Sequence, residues 1–246
     1  MTASSGGPGP EPPLASRVDP RQVRRLFSEI APRYDLLNHL LSLNVDRRWR
    51  RRAVDALVWG ERPAGLYLDA CAGTFDLSLE LARRPGFTGR VVASDFARPM
   101  LVAGLGKLDG SAVSPVCGDA LRLPFAAGGF AGATVGFGVR NLDDLDAGLA
   151  ELHRVLAPGG RLVVLDFTTP PNPLMRAAYL FYFHQVLPRV GRWVSGHPWA
   201  YSYLPASVKG FPAPAEVAAR MRAVGFAEAS WSLLSGGIAA LHVARK

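Results

Sequence analysis

Five short apolar runs separated by helix-forming stretches constrain this chain more than any other feature. They lie at Leu66–Ala70, Arg90–Ser94, Ala112–Val116, Ala131–Phe137 and Arg161–Phe167. Between them stand helix candidates at Asp76–Arg84, Ala97–Lys107 and Asp143–Leu156, and Pro158-Gly159-Gly160 stops the last before the fifth strand. Strand–helix alternation of this kind builds a parallel sheet with helices on both faces. Two further helices are expected, at Leu174–Leu187 and at Pro214–Val224, the second ending at Gly225. Strands at Phe226–Leu234 and Ile238–Ala244, joined by Ser235-Gly236-Gly237, give a hairpin signal. The fold class is therefore α/β, a mostly parallel sheet finishing with an antiparallel strand. There is no internal repeat.

The strands begin late. Residues 1–16 are rich in Gly, Pro and Ser and are expected to be a disordered tail. Residues 17–60 read as a helical cap added to the core. Asp19 is a candidate N-cap before Pro20, and Val23, Leu26, Phe27 and Ile30 share one helical face. A second stretch carries Leu36, Leu37, Leu40 and Leu41, and Asp46 is a candidate cap for a third with Trp49, Ala53 and Leu57. Residues 17–246 are expected to form one domain, with 170–212 as a helical, aromatic insertion over the site.

Composition narrows the function classes. Hydrophobic residues make up 49% and charged ones 20%, as in a packed globule. No apolar run reaches the ~18–20 residues of a membrane span, and the N-terminus has no signal-peptide core. Cys71 and Cys117 read as reduced thiols of a cytoplasmic protein. The formal charge of +8 is uneven. Ten arginines stand between Arg17 and Arg52 against four acids, and Leu174–Lys209 carries Arg176, Arg189, Arg192 and Lys209 with no acid. Together these stretches favour an anionic surface over a merely solvated face.

In an open parallel sheet the ligand lies beyond the carboxyl ends of the strands. The first strand is followed by Asp69-Ala70-Cys71-Ala72-Gly73-Thr74-Phe75-Asp76, the second by Asp95-Phe96, the third by Gly118-Asp119-Ala120, and the fourth by Gly136-Phe137-Gly138-Val139-Arg140-Asn141. Gly73 allows close backbone approach, and Thr74 with the amides after it can donate hydrogen bonds. Asp95 can hold a ribose diol or cap a helix; Asp119 can bond an exocyclic amine or shape a turn. The G-x-G-x-x-G fingerprint of pyrophosphate binding is absent, which argues against NAD. An adenosine cofactor without phosphates, S-adenosyl-L-methionine, fits better.

The stretches RLFSEIAPRYDLLNHLLSLNVDRRWRR (25–51), GDALRLPF (118–125), FGVRNLDDLDAGLAELHRVLAPGGRLVVLDF (137–167) and YSYLPASVKGFP (201–212) are similar to the ubiquinone/menaquinone-biosynthesis C-methyltransferases (UbiE/MenG). The resemblance is collinear from Val18 to Lys246 and most distinctive at Arg33-Tyr34-Asp35 and Phe137–Asn141. It implies the class I S-adenosylmethionine-dependent, Rossmann-like fold, with a seven-stranded sheet and methyl transfer to a ring carbon of a prenylated quinol. It also implies cofactor contacts at Thr74, Asp95, Asp119 and Ala120, beside the loop glycine Gly73. Many members have a serine contacting the cofactor where this chain has Gly136, so a side-chain contact is lost. Phe75 replaces a small residue, and its ring must either tuck beneath the loop or crowd the methionine moiety.

Ring methylation needs an electron-rich carbon, hence loss of a phenolic proton whose pKa is about 10. Arg140 is the candidate charge for the resulting oxyanion, with Asn141 orienting the ring or a water and Tyr34 completing the group. The alternatives are an ion pair of Arg140 with Asp143 or Asp144, and simple packing of Tyr34. His39, His184 and His197 are weaker candidates, as a base under a covering lid; His153 and His242 are poorly placed. No cluster has metal-ligand spacing. Trp193, Trp199, Tyr201 and Tyr203 either wall a greasy pocket or form core. A prenylated substrate implies transient contact with an anionic membrane surface, and a homo-oligomer is left open. The loop after the fourth strand is not the Asn/Asp-Pro-Pro-aromatic type of amine methylation, so nucleic acid is not expected as a partner. The resemblance favours demethylmenaquinol as the acceptor. The alternatives are a benzoquinol of ubiquinone biosynthesis, or a non-catalytic subunit with Phe75 closing the methionine pocket.

Overall fold

A computed structural model describes residues 20–31, 34–35, 42, 44–186 and 198–246. The tail at 1–16, the Asp19 cap and the leucines at 36, 37, 40 and 41 lie outside the described residues. Seven strands form one sheet: β1 (Leu66–Ala70), β2 (Arg90–Asp95), β3 (Val113–Cys117), β4 (Phe130–Gly136), β5 (Leu156–Phe167), β6 (Glu228–Leu234) and β7 (Ala239–Arg245). The order is β3-β2-β1-β4-β5-β7-β6, and β7 runs antiparallel to both its neighbours while β1 to β5 pair in parallel. Leu162, Val163, Val164 and Leu165 of β5 are all buried, which is why this strand reads as a continuous apolar run.

The helices are α1 (Pro20–Ile30), α2 (Val45–Ala56), α3 (Asp76–Ala82), α4 (Arg98–Gly104, prolonged by a 3-10 turn to Lys107), α5 (Leu145–Val155), α6 (Pro173–Phe181), α7 (Pro198–Gly210) and α8 (Pro214–Ala223). One sheet face is covered by α2 and α3 through Trp49, Val54, Leu77 and Leu81. The other is covered by α5 and α8 through Leu149, Leu152, Val217 and Met221.

Three local expectations are corrected. Asp46 does not cap α2. Asn44 holds the cap position at φ 60 without a side-chain bond, while Asp46 is buried within the first turn, pairing with Arg50 and accepting from Ser42 Oγ. The fifth strand starts at Leu156, five residues before Arg161. Gly159, at φ +72, lets the Pro-Gly-Gly segment bulge while its amide still donates to Lys246 O at 2.9 Å. The helix expected at Leu174–Leu187 is α-helical only to Phe181 and continues as a π-turn, Tyr182–Val186.

One acid ties three elements together. Asp69, at the end of β1, accepts from the Ser78 amide (3.0 Å) and hydroxyl (2.6 Å) on α3 and from the Thr134 hydroxyl (2.9 Å) on β4. Burial nevertheless pushes its carboxyl up to about 6, outweighing those bonds. The folded protein thus holds this proton more tightly than the unfolded chain, so this group's contribution is largest below about pH 4 and is lost as pH rises through about 6. At roughly 1.4 kcal/mol per tenfold in proton affinity, the ionised form costs on the order of 3 kcal/mol. Asp69→Asn keeps the shape without the charge. Denaturant titrations should show its stability relative to wild type rising between pH 4 and 7; parallel curves would refute the assignment.

Candidate active site

The strand order reverses between β1 and β4, and the crevice at their carboxyl ends holds a cleft. Its wall brings together Gly73, Asp95, Asp119, Ala120, Gly136 and Asn141 with Phe96, Met100 and Phe137. Seven of the nine residues singled out from the sequence thus share one cavity, Tyr34 among them from the N-terminal cap, while Thr74 and Arg140 lie outside its lining. Asp95 is 7% exposed. Its Oδ2 accepts from the Gly73 amide and its Oδ1 from the Ala97 amide, both at 2.8 Å. Burial raises its pKa against the pull of those two bonds. The carboxylate therefore fastens the loop after β1 to the start of α4, and each oxygen keeps a lone pair for a diol in the cleft. Asp119 is exposed and accepts from the Leu121 amide at 2.9 Å, so it shapes a turn while lining the cleft.

Thr74 stands differently. It lines an adjoining recess with Arg50, Asp76 and Leu77, and its hydroxyl donates to Asp35 Oδ1. Lys107 Nζ bridges Asp35 Oδ2 (2.8 Å) and Asp76 Oδ1 (2.9 Å), and Arg50 Nη2 reaches Asp76 Oδ2 at 3.2 Å. The Tyr34-Asp35 segment is thereby latched to the loop below it. Asp35 stands out in the sequence only as part of the Arg33-Tyr34-Asp35 motif and Lys107 not at all, because both act on residues more than 30 positions away.

Phe75 tucks beneath the loop. It is fully buried at φ +74, within the core cluster of Leu79 and Leu101. A Cβ on Gly104 would come within 2.6 Å of its ring, so the small residue on α4 makes room for the large one. The cleft is not crowded by Phe75, and the ground for a closed methionine pocket is gone. Gly136 is matched in the same manner: a Cβ there would lie 2.5 Å from Leu77 Cδ1. A serine at this position would press on the end of the Leu77 side chain, which would have to turn aside.

Arg140 follows β4 in a 3-10 turn, Val139–Asn141. It pairs with neither Asp143 nor Asp144; Asp144 instead caps α5 by accepting from the Ala147 amide. Its partner is Asp166 near the end of β5, at 2.6 Å, with both side chains buried. Arg140 Nη1 also donates to Phe137 O, and the guanidinium lies 5.5 Å from the Phe167 ring centre. Burial works against its charge, but Asp166 more than offsets this and the guanidinium holds its proton more tightly than usual. Asn141 donates to Phe137 O at 3.3 Å and accepts from the Tyr203 hydroxyl on α7 at 2.8 Å. Phe137 itself is at φ +57 and stacks on Phe167 at 4.7 Å.

The remaining expectations divide. His39, His197 and Trp193, and the side chains of His184, Trp199 and Tyr201, lie outside the described residues. His153 packs against Phe226 and His242 is buried with Nε2 on Pro214 O, both away from the cleft. Among the described residues no group of His, Cys, Asp or Glu could hold a metal. Cys71 lines the cleft, but burial and four nearby acids push its thiol up, so it is no nucleophile.

The donor set suits an adenosine cofactor without phosphates: carboxylates for hydroxyl and amine groups, apolar walls for a base, and no lysine or arginine among the described residues that line the cleft. Comparison with known proteins agrees. The model of the ubiE/COQ5 methyltransferase family matches residues 15–246. A demethylmenaquinone methyltransferase of Thermus thermophilus is 50% identical over 221 residues, 89% of this chain and 98% of its own. A ubiquinone/menaquinone biosynthesis C-methyltransferase UbiE of Geobacter sulfurreducens is 42% identical over 92% of this chain and 88% of its own. Among solved structures, the [4+2]-cyclase SpnF superposes with TM-score 0.70 at 16% identity, over 94% of this chain and 97% of its own. A Haemonchus contortus phosphoethanolamine N-methyltransferase in complex with S-adenosyl-L-methionine gives 0.57 at 13%, over 78% and 52%. At such identities these two speak for the fold alone.

Two substitutions check the geometry. Asp95→Ala frees both amides and removes the diol acceptor, so calorimetry should show S-adenosylmethionine affinity falling at least tenfold, given ~1.5–3 kcal/mol for hydrogen bonds to a charged group. Gly104→Val drives a branched side chain into Phe75 and should lower stability by roughly 1–3 kcal/mol. Combining it with Phe75→Ala should recover part of that loss; no recovery would mean the two residues are not a packed pair.

Proposed function

The chain belongs to the ubiE/COQ5 methyltransferase family, and on that premise we propose that it methylates a ring carbon of demethylmenaquinol, giving menaquinol, with S-adenosylmethionine as its cofactor. The observation that carries the site assignment is the buried Arg140–Asp166 pair, set against Phe137 and Phe167 at the edge of the cofactor cleft. Gly73, Asp95, Asp119, Ala120 and the backbone at Gly136 are the residues to hold the cofactor, which supplies a methyl group on a sulfonium that departs as a neutral thioether.

The chain's own work is then on the acceptor. A quinol ring carbon gains nucleophilicity when the neighbouring hydroxyl loses its proton, and the oxyanion needs a fixed positive group in a site of low dielectric. Arg140 keeps its charge and cannot act as a simple base. Its part is electrostatic, and Asp166 holds the guanidinium at one angle by a short ion pair. Asn141, fixed by Tyr203, orients the ring, and Tyr34 closes the site from the cap. We assign the N-terminal helices and the 170–212 segment to covering the site within a single methyltransferase domain.

A prenyl tail places the substrate in a bilayer, yet among the described residues no helix is long and apolar enough to cross one. The α6 helix suits surface contact: Leu174 is 82% exposed and Phe181 63%, with Arg176 as its charged residue. Arg24, Arg25, Arg47, Arg48, Arg51 and Arg52 on α1 and α2 are exposed and basic. Peripheral attachment through anionic lipid follows.

Purified protein with labelled S-adenosylmethionine should transfer label to reduced demethylmenaquinol, with a demethylated benzoquinol run beside it. Arg140→Ala should lower kcat at least a hundredfold, the scale of losing one oxyanion donor (~10²–10³). Transfer to the benzoquinol alone would move the acceptor; transfer to neither, with cofactor bound, would end the quinol reading. Co-sedimentation with liposomes should rise with anionic lipid and fall with salt, and Leu174→Asp with Phe181→Asp should abolish it. Binding indifferent to lipid charge and to both changes would remove the membrane face.

A further inference from the structure

Among the buried polar atoms that have no hydrogen-bond partner among the described residues are two beyond the cofactor cleft that share a neighbourhood: the Tyr179 hydroxyl on α6 and Arg140 Nε. Tyr179 is 7% exposed and the Arg140 side chain 6%. They belong to elements far apart in the chain but share one aromatic cluster. The guanidinium lies 5.5 Å from the Phe167 ring centre, Phe167 lies 6.5 Å from Phe183, and Phe183 lies 4.2 Å from Tyr179. Buried donors in native proteins are almost always satisfied, so two orphans on one cluster mark a place where a ligand completes the bonding. The ligand has to be flat, apolar on its faces and polar at its rim, to sit among rings and meet a hydroxyl and a guanidinium.

The geometry points to Tyr179 as an acceptor-binding residue whose hydroxyl, together with Arg140 Nε, hydrogen-bonds the oxygens of the quinol ring. This assignment rests on the quinol-methylation reading above. Burial pushes the Tyr179 phenol well above its ordinary value, and Asp166 acts in the same direction against the Arg140 charge. Tyr179 therefore stays protonated and acts as a donor, holding the ring in place rather than removing its proton. Every other residue of α6 is exposed, so Tyr179 is the one buried side chain of this helix.

Tyr179→Phe removes one oxygen atom and no packing, and it separates the possible roles by sign. An orphaned buried hydroxyl weakens the free protein, so the variant should melt at the wild-type temperature or a few degrees higher. Its affinity for S-adenosylmethionine should be unchanged. Its kcat/KM for reduced demethylmenaquinol should fall about tenfold or more, the scale of one lost hydrogen bond to a charged or reacting group. Combined with Arg140→Lys, which keeps a cation beside Asp166 but removes Nε, the loss should be smaller than the product of the two single losses. Wild-type transfer matched within twofold by Tyr179→Phe overturns the assignment, as does a variant that loses melting temperature and cofactor affinity together. Failure of the wild-type protein itself to methylate any quinol, with cofactor bound, overturns the underlying reading and the subsite with it.

Discussion

Burial of carboxylates at the carboxyl ends of the central strands sets the terms for everything around the cleft. Asp69 on β1, Asp95 on β2 and Asp166 on β5 are each at most 7% exposed. A buried charge is costly unless hydrogen bonds or an opposite charge offset it, and each acid is offset differently. Asp69 takes two hydroxyls and an amide, and burial still wins. Asp95 takes two backbone amides, which makes it a clamp on the cofactor loop. Asp166 takes Arg140, which makes it the anchor of a buried guanidinium. Three instances of one problem yield a strut, a clamp and a pivot.

The cap is joined to this frame by charge rather than by apolar packing alone. Asp35, Thr74, Lys107, Asp76, Arg50 and Asp46 form a chain of contacts running from the N-terminal segment through the loop after β1 to α4 and back to α2. Several of its members are 20–36% exposed at the side chain, where ion pairs contribute little individually and weaken with salt. Such contacts hold a segment more loosely than a deep apolar seam does. Trp49 and Val54 supply that seam lower down, where α2 meets the sheet.

Much of the frame was legible in the sequence because fully buried parallel strands are apolar almost throughout, and they alternate with amphipathic helices. β1 was read to the residue, and β2, β3 and β4 within one. That Gly73, Asp95, Asp119 and Ala120 would come together was legible for the same reason, since a parallel sheet opens its crevice at the carboxyl ends of its strands. What escaped was decided by partners distant in sequence. Arg140 had acids three and four residues on, yet its partner is 26 residues away, because β5 lies beside β4 and delivers Asp166 to that turn. Asp46 looked like a cap by type and position, but Arg50, also buried, drew it inward. Thr74 was read toward the cofactor, whereas Asp35, 39 residues earlier, holds its hydroxyl.

Phe75 and Gly136 looked like defects when set against their family's pattern one position at a time. In three dimensions each is half of a volume exchange. Phe75 fills the space that Gly104 leaves on α4, and Leu77 fills the space that Gly136 leaves on β4. Close packing makes such exchanges local and reciprocal, since an added methylene on one side must be removed on the other. Both pairs meet at α3 and the loop before it, the stretch that also carries the amides next to the cofactor cleft. A substitution at either member of a pair, judged alone, therefore misstates its cost. The cleft depends on where the backbone of residues 73–77 runs, and these paired volumes hold it in place.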